Sequence, residues 1–163
     1  MKKLLGITFL GLFISWNANA GDYGEGHLQL SKQTVEHFIK HIRSEGGKKP
    51  ADFYVTLDGD YSVRWFCGTG VCKPGNLKED IKDCERRSGK KCARFAFQRT
   101  IRWKNGINPA KGKISRINSK WSDAEIFAKL TELGFYNNDY LDTTTTPKIT
   151  KKIKENVVYF NKC

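Results

Sequence analysis

The sequence predicts an α+β fold, in which a small antiparallel sheet is flanked by helices and stapled by disulfides. Three observations carry this prediction. Two alternating apolar runs are joined by a turn at residues 58–59, helical stripes precede and follow them, and four cysteines fall within residues 67–92. The predicted order is α-β-β-α-β-β, followed by a C-terminal helical appendage, and such an order favours an antiparallel sheet with helices packed on it.

The first helix is predicted from one apolar stripe at the spacing i, i+3, i+4 and i+7. Its members are Val35, Phe38, Ile39 and Ile42. Ser31 is a suitable N-cap, and Gly46 with Gly47 ends the helix.

A β-hairpin is predicted next, because apolar residues occupy every second position on both sides of Asp58-Gly59. The alternating residues are Phe53, Val55 and Leu57, then Tyr61, Val63 and Trp65. With period 2, all six are expected to face the core.

A second helix is predicted after Pro74-Gly75, with Asn76 and Glu79 as a capping box and Gly89 as the C′ residue. Returning strands follow it. Their alternating residues are Ala93, Phe95 and Phe97, then Ile101 and Trp103.

The chain is predicted to divide into four segments. Residues 1–20 form a signal peptide, 21–104 a disulfide-containing α+β domain, 105–120 a basic linker or loop, and 121–163 a helical C-terminal segment. In the last segment Ser122 and Glu125 form a capping box, and Gly134 ends the helix. A further helix or, alternatively, a strand at residues 157–160 follows Pro147.

Residues 1–20 have the pattern of a secretory signal peptide. Lys2 and Lys3 precede an apolar run over residues 4–16, and Ala18-Asn19-Ala20 resembles a cleavage site. Cleavage after Ala20 and a periplasmic or secreted location are predicted, with no transmembrane span after cleavage. An uncleaved N-terminal anchor is the alternative.

The cysteine cluster predicts two disulfides, since exported proteins fold in an oxidising compartment. We favour Cys67–Cys72 and Cys84–Cys92; the two crossed pairings and a zinc site are the alternatives, although the spacings suit zinc poorly. Cys163 is left over, as a free thiol, a rearranged partner or the link of a disulfide-bonded dimer.

The charge balance predicts attraction to polyanions. Loss of Lys2 and Lys3 with the signal peptide lowers the net charge from +12 to +10. Alternation along the strands places three arginines opposite the core, with Tyr54 and Ser62 beside them. The predicted anion-binding residues are these three and three loop cations: Arg64, Arg94, Arg102, Lys111, Lys113 and Arg116. An ordinary solvated surface is the alternative.

No catalytic, metal or cofactor residues are predicted. The sequence contains no G-x-S-x-G, P-loop or dinucleotide motif. His37 and His41 share a helix face at i, i+4, a spacing that can bind a metal, but we favour solvated helix histidines.

The chain resembles a group of small, secreted, uncharacterised bacterial proteins. The resemblance rests on Phe53-Tyr54-Val55, Asp58-Gly59, Trp65 and Cys67, then Cys84-Glu85-Arg86, Ser88-Gly89, Cys92, Phe95-Ala96 and Ile101-Arg102-Trp103. It spans residues 30–135 and implies the α+β architecture and the extracytoplasmic location, but no reaction.

A second resemblance concerns residues 121–160. Ile126, Leu130 and Leu133-Gly134-Phe135-Tyr136 are similar to a segment of peptidoglycan-binding helical modules, although Asp139-Tyr140 replaces their Asp-Gly. The leading hypothesis is a non-catalytic basic protein that binds an anionic envelope component or a protein partner. A peptidoglycan-associated module and an unrecognised hydrolase are the alternatives.

Overall fold

A computed structural model describes residues 23–68 and 72–137 of the 163-residue chain. Within these ranges the elements are α1 (Lys32–Ile42), β1 (Lys49–Thr56), β2 (Ser62–Cys67), α2 (Leu77–Ser88), β3 (Cys92–Phe97), β4 (Thr100–Ile101) and α3 (Asp123–Glu132), with a 3-10 turn at Glu45–Gly47. The predicted α+β class is confirmed. The predicted signal peptide, the segment after 137 and Cys163 lie outside the described residues.

The four strands form one antiparallel sheet in the order β2-β1-β3-β4. The predicted hairpin between β1 and β2 is present. The Asp58 carboxylate accepts hydrogen bonds from the Thr56 hydroxyl and the Asp60 amide. Gly59 has φ +79° and lies against the Gln29 carbonyl, where no Cβ has room, so the turn requires glycine.

The main core lies between one sheet face and helices α1 and α3. Its centre is aromatic: Phe38 packs edge to face on Phe53 and Phe95, with ring centroids 5.1 and 5.4 Å apart. Phe135, beyond α3, packs on Phe95 in the same way. The predicted α1 stripe is fully buried, and the Ser31 hydroxyl caps the helix by accepting from the Thr34 amide.

The predicted basic linker or loop lacks a helix or strand, but it is anchored to the core. Ile117 is buried in the same cluster as α1 and α3. Asn108 donates to the Trp103 carbonyl and accepts from Ser115, and all three side chains are buried. Helix α3 begins with the predicted Ser122–Glu125 capping box. Residues 105–137 therefore extend the core of the sheet domain.

Helix α2 covers the opposite sheet face over a smaller cluster of Tyr54, Cys84 and Cys92. Its predicted capping box does not form, since the Asn76 side chain makes no cap hydrogen bond. Gly89 ends the helix with φ +68°, as predicted.

The prediction of which β2 residues face the main core is wrong. Phe53 pairs with Arg64, and Tyr54 pairs with Val63. Paired residues of an antiparallel sheet point to the same side, so Val63 lies with Tyr54 under α2 and Arg64 lies on the α1 side. Three residues expected in the core are instead partly open to solvent: Leu57 is 52% exposed, and Tyr61 and Trp65 are each 37% exposed.

Both favoured disulfides are present. Cys84–Cys92 joins α2 to β3 with 6.2 Å between Cα atoms. Cys67–Cys72 joins the end of β2 to the segment before α2, with 5.5 Å between Cα atoms.

Candidate functional site

The three strand arginines do not share one face. Arg64 lies on the α1 side, over the Phe66 ring at 5.7 Å. Arg94 and Arg102 both lie over the Tyr23 ring, at 4.6 and 5.8 Å. The expectation of a single arginine-bearing sheet face is therefore wrong, because alternation within a strand does not fix the phase between strands.

Arg94 is also inaccessible to a ligand, with 2% of its surface exposed. Its Nη1 forms an ion pair with Asp52 Oδ1 at 3.2 Å and donates to the Tyr23 hydroxyl. Burial raises the pKa of Asp52, whereas the hydrogen bond from the Gly75 amide and the charge of Arg94 both lower it. Arg94 thus holds the N-terminal segment onto the sheet rather than presenting a charge to solvent.

The other predicted cations belong to two separate clefts. Arg102 and Lys111 line a cleft of about 440 Å³ together with Tyr23, Lys104 and the acidic Glu25. Lys113 and Arg116 lie elsewhere, beside the turn between β3 and β4.

The cleft that contains Lys113 and Arg116 is the strongest candidate for an anion site, and we call it the basic cleft. It consists of two adjoining depressions, of about 240 and 310 Å³, that share Arg99 and Arg116. Lys49 lines the first depression and Lys113 the second. No acidic side chain is among the described residues that line either one.

Backbone pairing brings the cations of the basic cleft together. Arg116 pairs with Thr100 in an antiparallel bridge, and the Ile117 amide donates to the Arg99 carbonyl at 2.8 Å. The Arg99 guanidinium donates to the Ser119 hydroxyl at 2.9 Å, which fixes its direction. Lys113 and Arg116 were predicted from the sequence, whereas Lys49 and Arg99 were missed because they are far in sequence from the loop of residues 105–120.

A polar pocket of about 370 Å³ lies beside Trp65, and we call it the Trp65 pocket. Asp52, Gly75 and Asp80 contribute to its wall, with Lys73. The Gly75 amide donates to Asp52 Oδ2 at 2.9 Å, and the Tyr54 hydroxyl donates to Asp80 Oδ2 at 3.0 Å. These bonds hold both carboxylates in fixed positions, and burial raises the pKa of Tyr54, so its hydroxyl stays a donor.

The two helix histidines have different surroundings. His37 is partly buried, and its Nδ1 lies 3.2 Å from the Ser62 hydroxyl. His41, predicted to be solvated, is fully buried between Phe53 and Phe66. Burial lowers the pKa of His41 to about 4; the Gln98 backbone opposes this shift and the Arg64 charge adds to it.

The segment that resembles peptidoglycan-binding modules contributes to the core where it is described. Phe135 is fully buried, and Tyr136 is 6% exposed and packs on Phe127. Gly134 ends α3 with φ +75°. Helix termination and aromatic packing therefore account for these residues without a ligand.

Within residues 23–68 and 72–137, no group of three or more His, Cys, Asp or Glu side chains could hold a metal ion. In the same ranges, none of the helices combines the length and apolar character that crossing a bilayer requires. The chain matches no family model, no curated protein and no solved structure.

Proposed function

We propose that this protein is an exported, non-catalytic binding protein that holds an anionic envelope polymer in its basic cleft. The observation that carries the proposal is the convergence of Lys49, Arg99, Lys113 and Arg116 on adjoining depressions whose described lining residues include no acid. Arginine suits such a ligand because its planar guanidinium binds phosphate and carboxylate groups in a bidentate manner.

A polymeric ligand is favoured over a single small anion on energetic grounds. Lys49, Lys113 and Arg116 are exposed, and an exposed ion pair contributes only about 0–1 kcal/mol. Useful affinity therefore requires several simultaneous pairs, which a chain of anionic groups supplies. The net charge of +10 after signal-peptide removal adds long-range attraction to the same class of ligand.

Export is supported by the signal-peptide pattern of residues 1–20 and by the two disulfides, which persist in oxidising compartments. N-terminal sequencing of the processed protein tests this part of the proposal. It should begin at Gly21, and a soluble cytoplasmic chain that keeps Met1 would contradict export.

The binding test compares Arg99→Gln/Arg116→Gln with the native protein. Affinity for inorganic polyphosphate is measured by calorimetry over a series of NaCl concentrations. The variant should bind at least several-fold more weakly, and its affinity should fall less steeply with salt, since fewer counterions are displaced.

The matched control is Lys78→Gln/Lys82→Gln, which removes the same charge from the exposed side of α2. This control should bind nearly as well as the native protein. Equal losses in the two variants would show that net charge alone governs binding, and the basic cleft would then not be the site.

A further inference from the structure

We propose that the Trp65 pocket is a saccharide subsite, so that the anionic polymer is a glycan carrying acidic or phosphate groups. This inference rests on the proposed function of the basic cleft, because it assigns the chemistry of the same ligand. Sugar rings would occupy the Trp65 pocket, and their anionic substituents would reach the neighbouring cations.

A β-bulge builds the Trp65 pocket. Pro50 pairs with Phe66 and Phe53 pairs with Arg64, so two residues of β1, Ala51 and Asp52, stand opposite the single residue Trp65. Such a bulge bends the strand and redirects side chains, and bulges are frequent beside functional sites. Here Asp52 and Trp65 line the same pocket.

The composition of the pocket suits a hydroxyl-rich ring. Trp65 keeps 37% of its surface exposed while it lines the pocket, so part of the indole is available to a ligand. An aromatic face packs against the C–H groups of a sugar, while carboxylates such as Asp80 accept from its hydroxyl groups. Lys73 supplies a donor on the same wall.

Gly75 lets the chain pass close to the Asp80 carboxylate. A Cβ at this position would lie 2.5 Å from Asp80 Oδ2 and 3.5 Å from Asp52 Oδ2, so a side chain here would displace Asp80. Asp52 is buried and already bonded to the Gly75 amide and Arg94, which leaves Asp80 as the carboxylate that can accept from a ligand. A fixed acceptor in the wall of a pocket is typical of a small-molecule site with a few oriented polar groups.

The position of the pocket connects it to the basic cleft. Lys49 and Pro50 line the basic cleft, and the next two residues, Ala51 and Asp52, line the Trp65 pocket. Both sites therefore adjoin the same end of β1. The Asp80 carboxylate of the Trp65 pocket repels anionic groups and the basic cleft attracts them, which orients an acidic glycan across the two sites.

The test uses Trp65→Ala with two polyanions, a heparin oligosaccharide and inorganic polyphosphate of matched charge. The variant should bind heparin about 3- to 10-fold more weakly and polyphosphate unchanged, because only heparin has rings to stack. Tyr61→Ala is the matched control, since Tyr61 is equally exposed on the same hairpin but does not line the pocket. It should bind both ligands normally.

Trp65→Phe guards against misfolding, because it keeps an aromatic face and should restore most of the heparin affinity. Unchanged heparin binding by Trp65→Ala would overturn the saccharide subsite, and so would equal losses for heparin and polyphosphate. Oligothymidylate serves as a third ligand, and a loss of affinity for oligothymidylate alone would also overturn the subsite, because it would indicate a nucleic acid. The proposed function of the basic cleft is tested separately. It would be contradicted if Arg99→Gln/Arg116→Gln bound polyphosphate as tightly as the native protein.

Discussion

Arg94 Nη1 lies 3.2 Å from Asp52 Oδ1, and both side chains are almost completely withdrawn from solvent. The pair lies on the sheet face that α2 covers, where Tyr54 is the cross-strand partner of Arg94. A buried ion pair adds little net stability, but removal of one partner leaves an unpaired charge in a medium that solvates it poorly.

Arg94→Met should therefore lower the free energy of unfolding by about 3–5 kcal/mol. Urea denaturation at neutral pH measures the change. Arg102→Met is the control, because Arg102 is exposed and contacts the same Tyr23 ring, and it should stay within about 0.5 kcal/mol of the native protein. Equal stabilities of the two variants would show that the Asp52–Arg94 pair does not anchor the fold.

The buried imidazole of His41 should make the protein sensitive to acid. Its pKa is about 4 in the folded state and 6.5 for an unperturbed histidine, so the unfolded chain binds the proton more tightly. Stability that is complete above pH 6.5 is then lost as the pH falls towards 4, by about 3 kcal/mol in total. Urea titrations from pH 7 to pH 4 follow this loss.

His41→Phe isolates the contribution of this one group, since carboxylates also titrate near pH 4. Its unfolding free energy should fall by less than that of the native protein over the same pH range. His27→Gln, at an exposed position, should retain the native pH dependence. Parallel pH profiles for the native protein and His41→Phe would contradict the assignment.

The two disulfides should differ in their contribution to stability. The ring closures are similar, with sequence separations of 8 and 5 residues, so the loop entropy is comparable. Cys84 and Cys92 are buried against Tyr54, whereas Cys67 and Cys72 are partly exposed. Cys84→Ala/Cys92→Ala should lower the free energy of unfolding by roughly 2–5 kcal/mol. The loss for Cys67→Ala/Cys72→Ala should be smaller than this loss by about 1–2 kcal/mol.

Thermal unfolding of the two double variants measures this difference, and peptide mapping without reduction confirms the pairing in the native protein. A peptide that links Cys67 to Cys84 would contradict both assignments.

Gly59→Ala should destabilise the hairpin much more than a positive φ alone explains. Gly59 and Gly89 have φ of +79° and +68°, but only at Gly59 would a Cβ meet the backbone, at the Gln29 carbonyl. Gly89→Ala should cost about 1 kcal/mol, and Gly59→Ala more than about 2 kcal/mol. Similar melting temperatures for the two variants would show that the Gln29 segment moves aside easily.

The sequence alone determined the elements whose causes are local. The α1 stripe, the Ser122–Glu125 capping box, the hairpin turn at Gly59 and both disulfides depend on residues a few positions apart. Their hydrogen bonds, ring closures and backbone angles are largely set by residues no more than eight positions apart, so spacing was sufficient to predict them.

Only the tertiary structure determined which side of each strand faces the core. A bulge in β1 opposite Trp65 and the pairing of Phe53 with Arg64 reversed the expected side of β2. Burial of Arg94 and His41, and the assembly of the basic cleft through the Thr100–Arg116 bridge, followed from contacts between distant segments. Alternation fixes which residues of one strand share a side, but only pairing with another strand decides which side is buried.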